Sequence, residues 1–356
     1  MDIDTLIIIV IGIVVLSILV LVHELGHFIP AKASGVWVEE FGVGLPPRLF
    51  GIKRGETIYS INWIPFGGFN KLSGEVDPDA PRSLASKKPW VRLIVLSGGI
   101  LLNLILPFIL LSVAYMIPHD IVTGQIVVQE VDPGSPAEIA GIEPGDTILS
   151  VNSRTLNNGS DLSRQIQLNL GKEITVGIEH EDLTMEEVNL TPRWRPPEGH
   201  GAMGVTSQTM NPVIVPESYP FFQAIGVGTR SCFEVLTVYR NGIAGMILGT
   251  VPFVPAGPVA IVQVTGEVAQ AGISPVFEIA AFISIAVAVT QIIPFPALDG
   301  GRILFVLIEW ARRGKRISPK IEGLVHSIGF IVLMALIILI SYQDIIRWVT
   351  GESLLG

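Results

Sequence analysis

Two histidines four residues apart, His23 and His27, stand at the end of an uncharged apolar run, and a glutamate, Glu24, follows the first. Residues i and i+4 of a helix share a face, so both imidazoles can turn a ring nitrogen toward one ion. Imidazole is a good zinc ligand, and a catalytic zinc keeps three protein ligands and one open position for water. Glu24 is then placed as general base on that water, whose pKa zinc lowers to about 7. A third ligand is offered far along the chain by Asp299, in Pro294-Phe295-Pro296-Ala297-Leu298-Asp299-Gly300-Gly301. Its two prolines break a helix at the end of another apolar run, and non-helical backbone at membrane depth is tolerated only against protein or a water-filled cavity. Taken singly, the histidines could be a solvated helix face and Asp299 a helix cap beside a Gly-Gly turn. Taken together at the ends of apolar segments they favour a metal site, since polar groups are costly in hydrocarbon, an Asp or Lys at a helix centre costing about 2.5–3.5 kcal/mol on insertion scales.

The elements that must carry these residues are apolar helices. The chain of 356 residues is 49% hydrophobic and 15% charged, with a mean hydropathy of +0.57, against about 25% charged for a soluble domain. Four uncharged runs, Leu6 to Val22, Leu93 to Ile117, Ile279 to Leu298 and Ser327 to Gln343, are near the roughly 20 residues a spanning helix needs. Pro30 to Arg92 holds nine basic residues, and five more lie at Arg312, Arg313, Lys315, Arg316 and Lys320. Pro118 to Pro275 is acidic, with 17 Asp+Glu against 7 Lys+Arg. By the positive-inside rule the first and third connections are cytoplasmic and the long middle region is outside. The single cysteine, Cys232, excludes a disulfide framework and a cysteine-rich zinc site, and the net charge of -9 does not suit a nucleic-acid binder.

Gly124 to Pro192 reads as a small β-rich domain, with short runs such as Ile148-Leu149-Ser150-Val151 between turn signals such as Glu143-Pro144-Gly145-Asp146. One helix is expected from Ser135 as N-cap with Pro136 at N1, another over Asp161 to Asn169. Tyr219 to Val251 reads as a helix on or near the outer membrane surface. Glu56 to Asn62, with Tyr59 at its centre, reads as a strand that could pair with an extended substrate. His119, His180, His200 and His326 lack metal-ligand partners at useful spacing and read as solvated or structural.

With these residues in view, the chain resembles the site-2 protease family of intramembrane zinc metalloproteases, and within it the RseP-like bacterial members that carry PDZ domains. His23 to His27 resembles the family's zinc-binding motif and Leu298-Asp299-Gly300 its LDG motif. Phe41 to Ser73 resembles its membrane-associated β-hairpin and loop. Gly99 to Asn103 is similar to its second-helix GxxxN pattern, and Gly257-Pro258-Val259 to a segment ahead of the third helix. Ser135-Pro136-Ala137, Ala140-Gly141-Ile142 and Gly145-Asp146-Thr147-Ile148 resemble a PDZ run. Gln291 stands where the family usually has an asparagine thought to contact substrate, Ile100 where many relatives have proline, and one PDZ-like region is visible where some relatives have two.

The resemblance implies a multi-pass α-helical membrane protein of about four transmembrane helices, with an inserted β-rich PDZ-like domain. Residues 1–117 form the first half of the membrane core and 118–195 the extracytoplasmic PDZ-like domain. Residues 196–275 form a linker and surface helix, and 276–356 the second half of the core. It implies Zn2+ held by His23, His27 and Asp299, Glu24 as catalytic residue, and substrate contacts at Gln291, Asn103, Tyr59, Gly67 and Gly68. The expected substrates are single-span membrane proteins, such as a clipped anti-sigma factor or signal-peptide remnant, cut in the bacterial cell membrane near its cytoplasmic side. The PDZ-like domain would bind an extracytoplasmic peptide or filter substrates by size. A membrane PDZ scaffold with a structural zinc is the alternative. A metal transporter is disfavoured by Glu24 and by the lack of a further chain of intramembrane acids or histidines.

Overall fold

The computed structural model describes residues 3–197, 199–251 and 254–350; the outer ends of the first and last segments expected above, residues 1–2 and 351–356, lie outside them. The chain divides into two units. One runs to Ala114 and resumes at Pro255; the other is Tyr115–Val254.

The first unit begins with α1 (Ile3–Ala33), whose last third carries His23, Glu24 and His27. A hairpin follows, β1 (Val38–Arg54) and β2 (Thr57–Leu72). Both strands are long and interrupted by register shifts, so β1 pairs with β2 twice: Ile58 to Ile61 lie against Phe50 to Lys53 on one side and Glu40 to Val43 on the other, and Gly68 to Leu72 lie on the far side of Glu40 to Val43. The stretch between returns along α1, where Ser17 Oγ donates to Pro65 O at 3.0 Å. Ser17 sits mid-way along an apolar helix, so this part of the first connection packs back along the middle of α1. Irregular backbone is tolerated there because it packs on protein. Exposed Trp63 and Ile64 beside it suit an apolar surround. Next, α2 (Pro89–Met116) crosses α1.

The second unit contains β3 (His119–Val131), α3 (Pro136–Ile139), β4 (Thr147–Val151), β5 (Arg154–Thr155), α4 (Gly159–Leu168), β6 (Ile174–Glu179), β7 (Met185–Leu190), β8 (Val205–Glu217) and α5 (Phe221–Leu248). The sheet order is β7-β6-β4-β3-β8, with β5 on β4. Its core is the inward set of alternating positions, Ile126, Val128, Ile148, Ile174, Val176 and Ile178, closed by Leu162 and Ile166 of α4. Ser135 caps α3 by accepting from Glu138 N, with Pro136 at N1. The cap of α4 is Asn158, accepting from Asp161 N. The sheet extends beyond the β-rich stretch read from the sequence: β8, inside the segment expected to be a linker, pairs with β3 from His119 to Val131. The domain boundary at residue 195 is corrected accordingly, because the Pro192–Pro197 stretch interrupts the pattern without ending the fold.

The first unit resumes with α6 (Pro258–Ala269), α7 (Ile273–Ile292), α8 (Asp299–Ala311) and α9 (Pro319–Thr350). Among the described residues four helices, in α1, α2, α7 and α9, are long and apolar enough to cross a membrane. The third ends earlier than its apolar run, at Ile292, because Pro294 and Pro296 stop it. The connection after it contains α8. At 12 residues α6 is too short to span. It packs on α1 so closely that a Cβ at Gly12 would strike Val262 O and one at Gly266 would strike Ile8. Its first turn is held from α9, where buried Asp344 Oδ2 accepts from Gly257 N at 3.0 Å and Ala260 N at 3.2 Å.

Candidate active site

A glycine crossing brings the candidate ligands together. Gly26 of α1 and Gly98 of α2 meet backbone to backbone, and a Cβ on either would strike the other's carbonyl oxygen. One residue on, a Cβ at Gly99 would lie 2.5 Å from His27 Nε2 and 2.7 Å from the His23 ring. Small residues allow such close approach between membrane helices, and here they seat both imidazoles against the backbone of α2. His23 is 4% exposed and His27 8%.

The second ring nitrogen of each histidine is engaged from α2. His27 Nδ1 lies 2.8 Å from Val95 O; only an N–H can donate to a carbonyl, so Nε2 keeps its lone pair. His23 Nδ1 lies 3.4 Å from the amide nitrogen of Asn103, which is fully buried and whose Oδ1 has no partner among the described residues. With the amide turned to present Oδ1, it accepts from His23 Nδ1–H, and His23 Nε2 is likewise free. The carbonyl of Asn103 accepts from Ser284 Oγ at 2.8 Å, which ties α7 to the same point.

Asp299 arrives at the start of α8. The proline-broken segment before it folds back so tightly that a Cβ at Gly300 would strike Ile292 O and one at Gly301 would strike Phe295 O. Asp299 Oδ2 is 3.0 Å from His23 Nε2 and 3.0 Å from His27 Nε2, and the two Nε2 atoms are 3.2 Å apart. These three atoms form a group able to hold one metal ion. A tetrahedral zinc with bonds of about 2.0–2.2 Å separates its ligand atoms by roughly 3.3 Å, so two neutral imidazoles and a carboxylate at these spacings fit zinc. Glu24, on the next position of α1, is half-buried, and among the described residues it has no hydrogen bond or ion pair. Its electrostatic neighbours are His27, His23, Asp299 and Glu75.

The residues expected to touch substrate are placed differently from one another. Gly68 lies beside Glu24, with a built Cβ 3.8 Å from Glu24 Cγ, and Gly67, at φ 69°, turns the chain against Val20. Tyr59 is the correction: its strand is bonded on both sides by β1, which leaves no edge for a peptide, and its ring packs on Phe28 and Phe41. The edge near the site is that of Gly68 to Leu72, paired only with Glu40 to Val43 and Val38 among the described residues. Gln291 points inward, its Oε1 accepting from Asp299 N at 3.3 Å. Asn103 stands behind His23.

Three groups escaped the sequence reading. Asn70, on the edge beside Gly68, is a polar residue in a strand, and both amide atoms are buried without a partner among the described residues. Arg302, one turn after Asp299, pairs with Glu75 at 2.7 Å and so fastens the loop after β2 to α8. Arg92 and Arg316 share buried Glu309, fixing α2 to α8. For the two pairs, nothing short of the fold links residues so far apart.

The sequence profile of peptidase family M50 matches residues 11–336. The chain is 34% identical over 347 residues to a Clostridium perfringens protein bearing a zinc metalloprotease name, covering 95% of this chain and 98% of that one. It is 33% identical over 340 residues to one from Clostridium acetobutylicum with the same kind of name, covering 95% and 97%. It is 26% identical over 419 residues to the regulator of sigma-W protease RasP of Bacillus subtilis, covering 94% and 97%.

Proposed function

Because the chain belongs to peptidase family M50, the site-2 proteases, and is a zinc metalloprotease, we propose that it cleaves transmembrane segments of membrane-anchored proteins at the site where His23, His27 and Asp299 converge. The observation that carries this reading is that convergence, beside a Glu24 carboxylate without a partner among the described residues, on α1 and shortly after the end of α7, two helices apolar enough to span a membrane.

His23 Nε2, His27 Nε2 and Asp299 Oδ2 would hold the zinc, with Asn103 and Val95 O fixing the two rings. When bound, the zinc supplies Lewis acidity that makes water a nucleophile near neutral pH and polarises a carbonyl. Glu24 takes the proton from the attacking water and delivers it to the leaving amine. Its lack of a competing partner leaves it free for both transfers. A helical substrate hides its amides in its own hydrogen bonds, so it must be drawn out into a strand. The Gly68 to Leu72 edge, beside Glu24, can supply the ladder, and the unpartnered amide of Asn70 can supply a further hydrogen bond. Gln291 acts by holding the backbone of Asp299 in place.

In the second unit, β8 is a sheet edge, and a cleft of about 690 Å³ beside it is lined by Ser160 and Ser163 of α4 and Ser207 and Thr209 of β8. A PDZ-like domain would add an extracytoplasmic peptide there as a strand. Bacterial cell-membrane localisation, with the basic connections in the cytoplasm and this unit outside, completes the reading. The relative named as a sigma-W regulator supports a membrane-anchored anti-sigma factor as substrate class. The test is cleavage of a single-span protein by purified, metal-loaded enzyme, with products mapped by mass spectrometry. Cuts inside the span, lost on chelation and restored by zinc, are expected; cuts confined to the soluble flanks would overturn the intramembrane assignment.

A further inference from the structure

The region between Pro118 and Pro275 has 17 acids and only 7 Lys+Arg, yet three of those seven, Arg154, Lys172 and Arg230, line a single cleft of about 630 Å³ between the β4–β5 turn, α4 and α5. A fourth, Arg164, stands behind it. The one acid in the lining, Glu234, is shared: Arg154 Nη1 and Arg230 Nε both donate to its Oε1, and Arg164 reaches its Oε2 at 3.4 Å. One carboxylate cannot use all the N–H groups of three guanidinium ions. The Lys172 ammonium has no hydrogen bond or ion pair among the described residues, although its backbone N–H donates to Asn169 O. Gln165, also in the lining, is 6% exposed, and its side-chain amide makes no hydrogen bond among the described residues. The cleft therefore holds spare donors and net positive charge, which matches an anion with several acceptor oxygens such as a phosphate group.

The helix that forms one wall says where that phosphate comes from. Phe222, Ile225, Thr229 and Phe233 follow one another at helical spacing along a single face of α5. Phe222 is 86% exposed, Ile225 41% and Phe233 58%, and Thr229 and Phe233 belong to the cleft. An apolar row thus leads directly out of a basic cleft. A soluble anion gives that row no role, whereas an amphiphile with a phosphate head and hydrocarbon tails fits both parts. We propose that this cleft binds the head group of an anionic phospholipid, its phosphate among Lys172, Arg230, Arg154 and Gln165 and its acyl chains along Phe222 and Ile225. The proposal is independent of the catalytic reading.

The experiment uses the full chain in phosphatidylcholine nanodiscs doped with phosphatidylglycerol carrying a photoreactive head group, with adducts mapped by peptide mass spectrometry. Adducts on α5 and the end of α4 are expected. Each basic residue near a membrane surface contributes about a fivefold change in binding, so Lys172→Ala/Arg230→Ala should lower these adducts at least tenfold, while adducts on the spanning helices, the internal reference, stay constant. Adducts on the spanning helices but none on α5, or equal labelling in the double variant, would overturn the proposal. Protection by millimolar inorganic phosphate equal to that by unlabelled phosphatidylglycerol would overturn the lipid assignment in favour of a free anion. Protection by an acidic peptide but not by the lipid would overturn it in favour of a protein ligand.

Discussion

Asn103 lies 3.4 Å behind His23, fully buried, and with its amide turned its side-chain Oδ1 can accept from the imidazole Nδ1–H. The expected consequence is a loss of metal rather than of fold. Supporting groups of this kind are typically worth about 10–100-fold in metal affinity, so Asn103→Leu should lose zinc at chelator concentrations the wild type withstands, and Asn103→Asp should restore retention. Competition against a zinc indicator measures it; unchanged affinity in Asn103→Leu would show that the amide does not orient the ring.

Gly99 leaves room for the rings. An alanine there places its Cβ 2.5 Å from His27 Nε2 and 2.7 Å from His23 Cε1, distances that a Cβ does not occupy. Gly99→Ala should therefore displace the imidazoles and abolish stoichiometric zinc binding in protein that still elutes as a folded species from size exclusion. Full zinc occupancy in that variant would mean α2 can retreat without cost.

Arg92 and Glu309 form a buried pair joined by Arg316. Removing one member of a buried pair leaves an uncompensated charge and typically costs about 3–5 kcal/mol. Arg92→Met should lower the thermal midpoint of the detergent-solubilised protein more than the double variant Arg92→Met/Glu309→Leu does. The opposite ranking would mean that Arg316 alone neutralises Glu309.

His180 lies outside the membrane unit, where Asp146 at 2.8 Å, and then Glu186 at 3.3 Å, raise its pKa above 6.5. A raised value stabilises the folded form fully below the unfolded pKa of about 6.5 and fades as pH rises through the folded value. Protection of β4 in hydrogen exchange, corrected for intrinsic rates, should fall as pH rises above the unfolded value and through the raised folded one in the wild type. It should be flat in His180→Gln; a slope that persists in the variant would place the titrating group elsewhere.

Much of this architecture was legible in the residues because it is local. The histidines share a helix, so their i, i+4 spacing shows it, and the four spans announce themselves by uninterrupted hydropathy. Asp299 could be paired with them because two prolines stop α7 just before it. The strand around Tyr59 was legible as a strand but not as an interior one, since the double pairing of β1 depends on register shifts that no alternation pattern carries. Gln291 was expected to face substrate; the fold-back that gives Gly300 and Gly301 their close contacts turns it to the backbone of Asp299 instead. β8 was missed because its partner, β3, lies at the other end of the domain and a proline-rich stretch precedes it.

The central claim concerns Glu24, the carboxylate beside the converging ligands that binds none of its neighbours. Glu24→Gln preserves shape and leaves His23, His27 and Asp299 untouched but cannot accept a proton. The decisive measurement is zinc content and cleavage of a single-span substrate for wild type and Glu24→Gln purified side by side. One zinc per chain in both, with cleavage in the wild type only, is the result expected. Comparable cleavage by zinc-loaded Glu24→Gln would contradict the account.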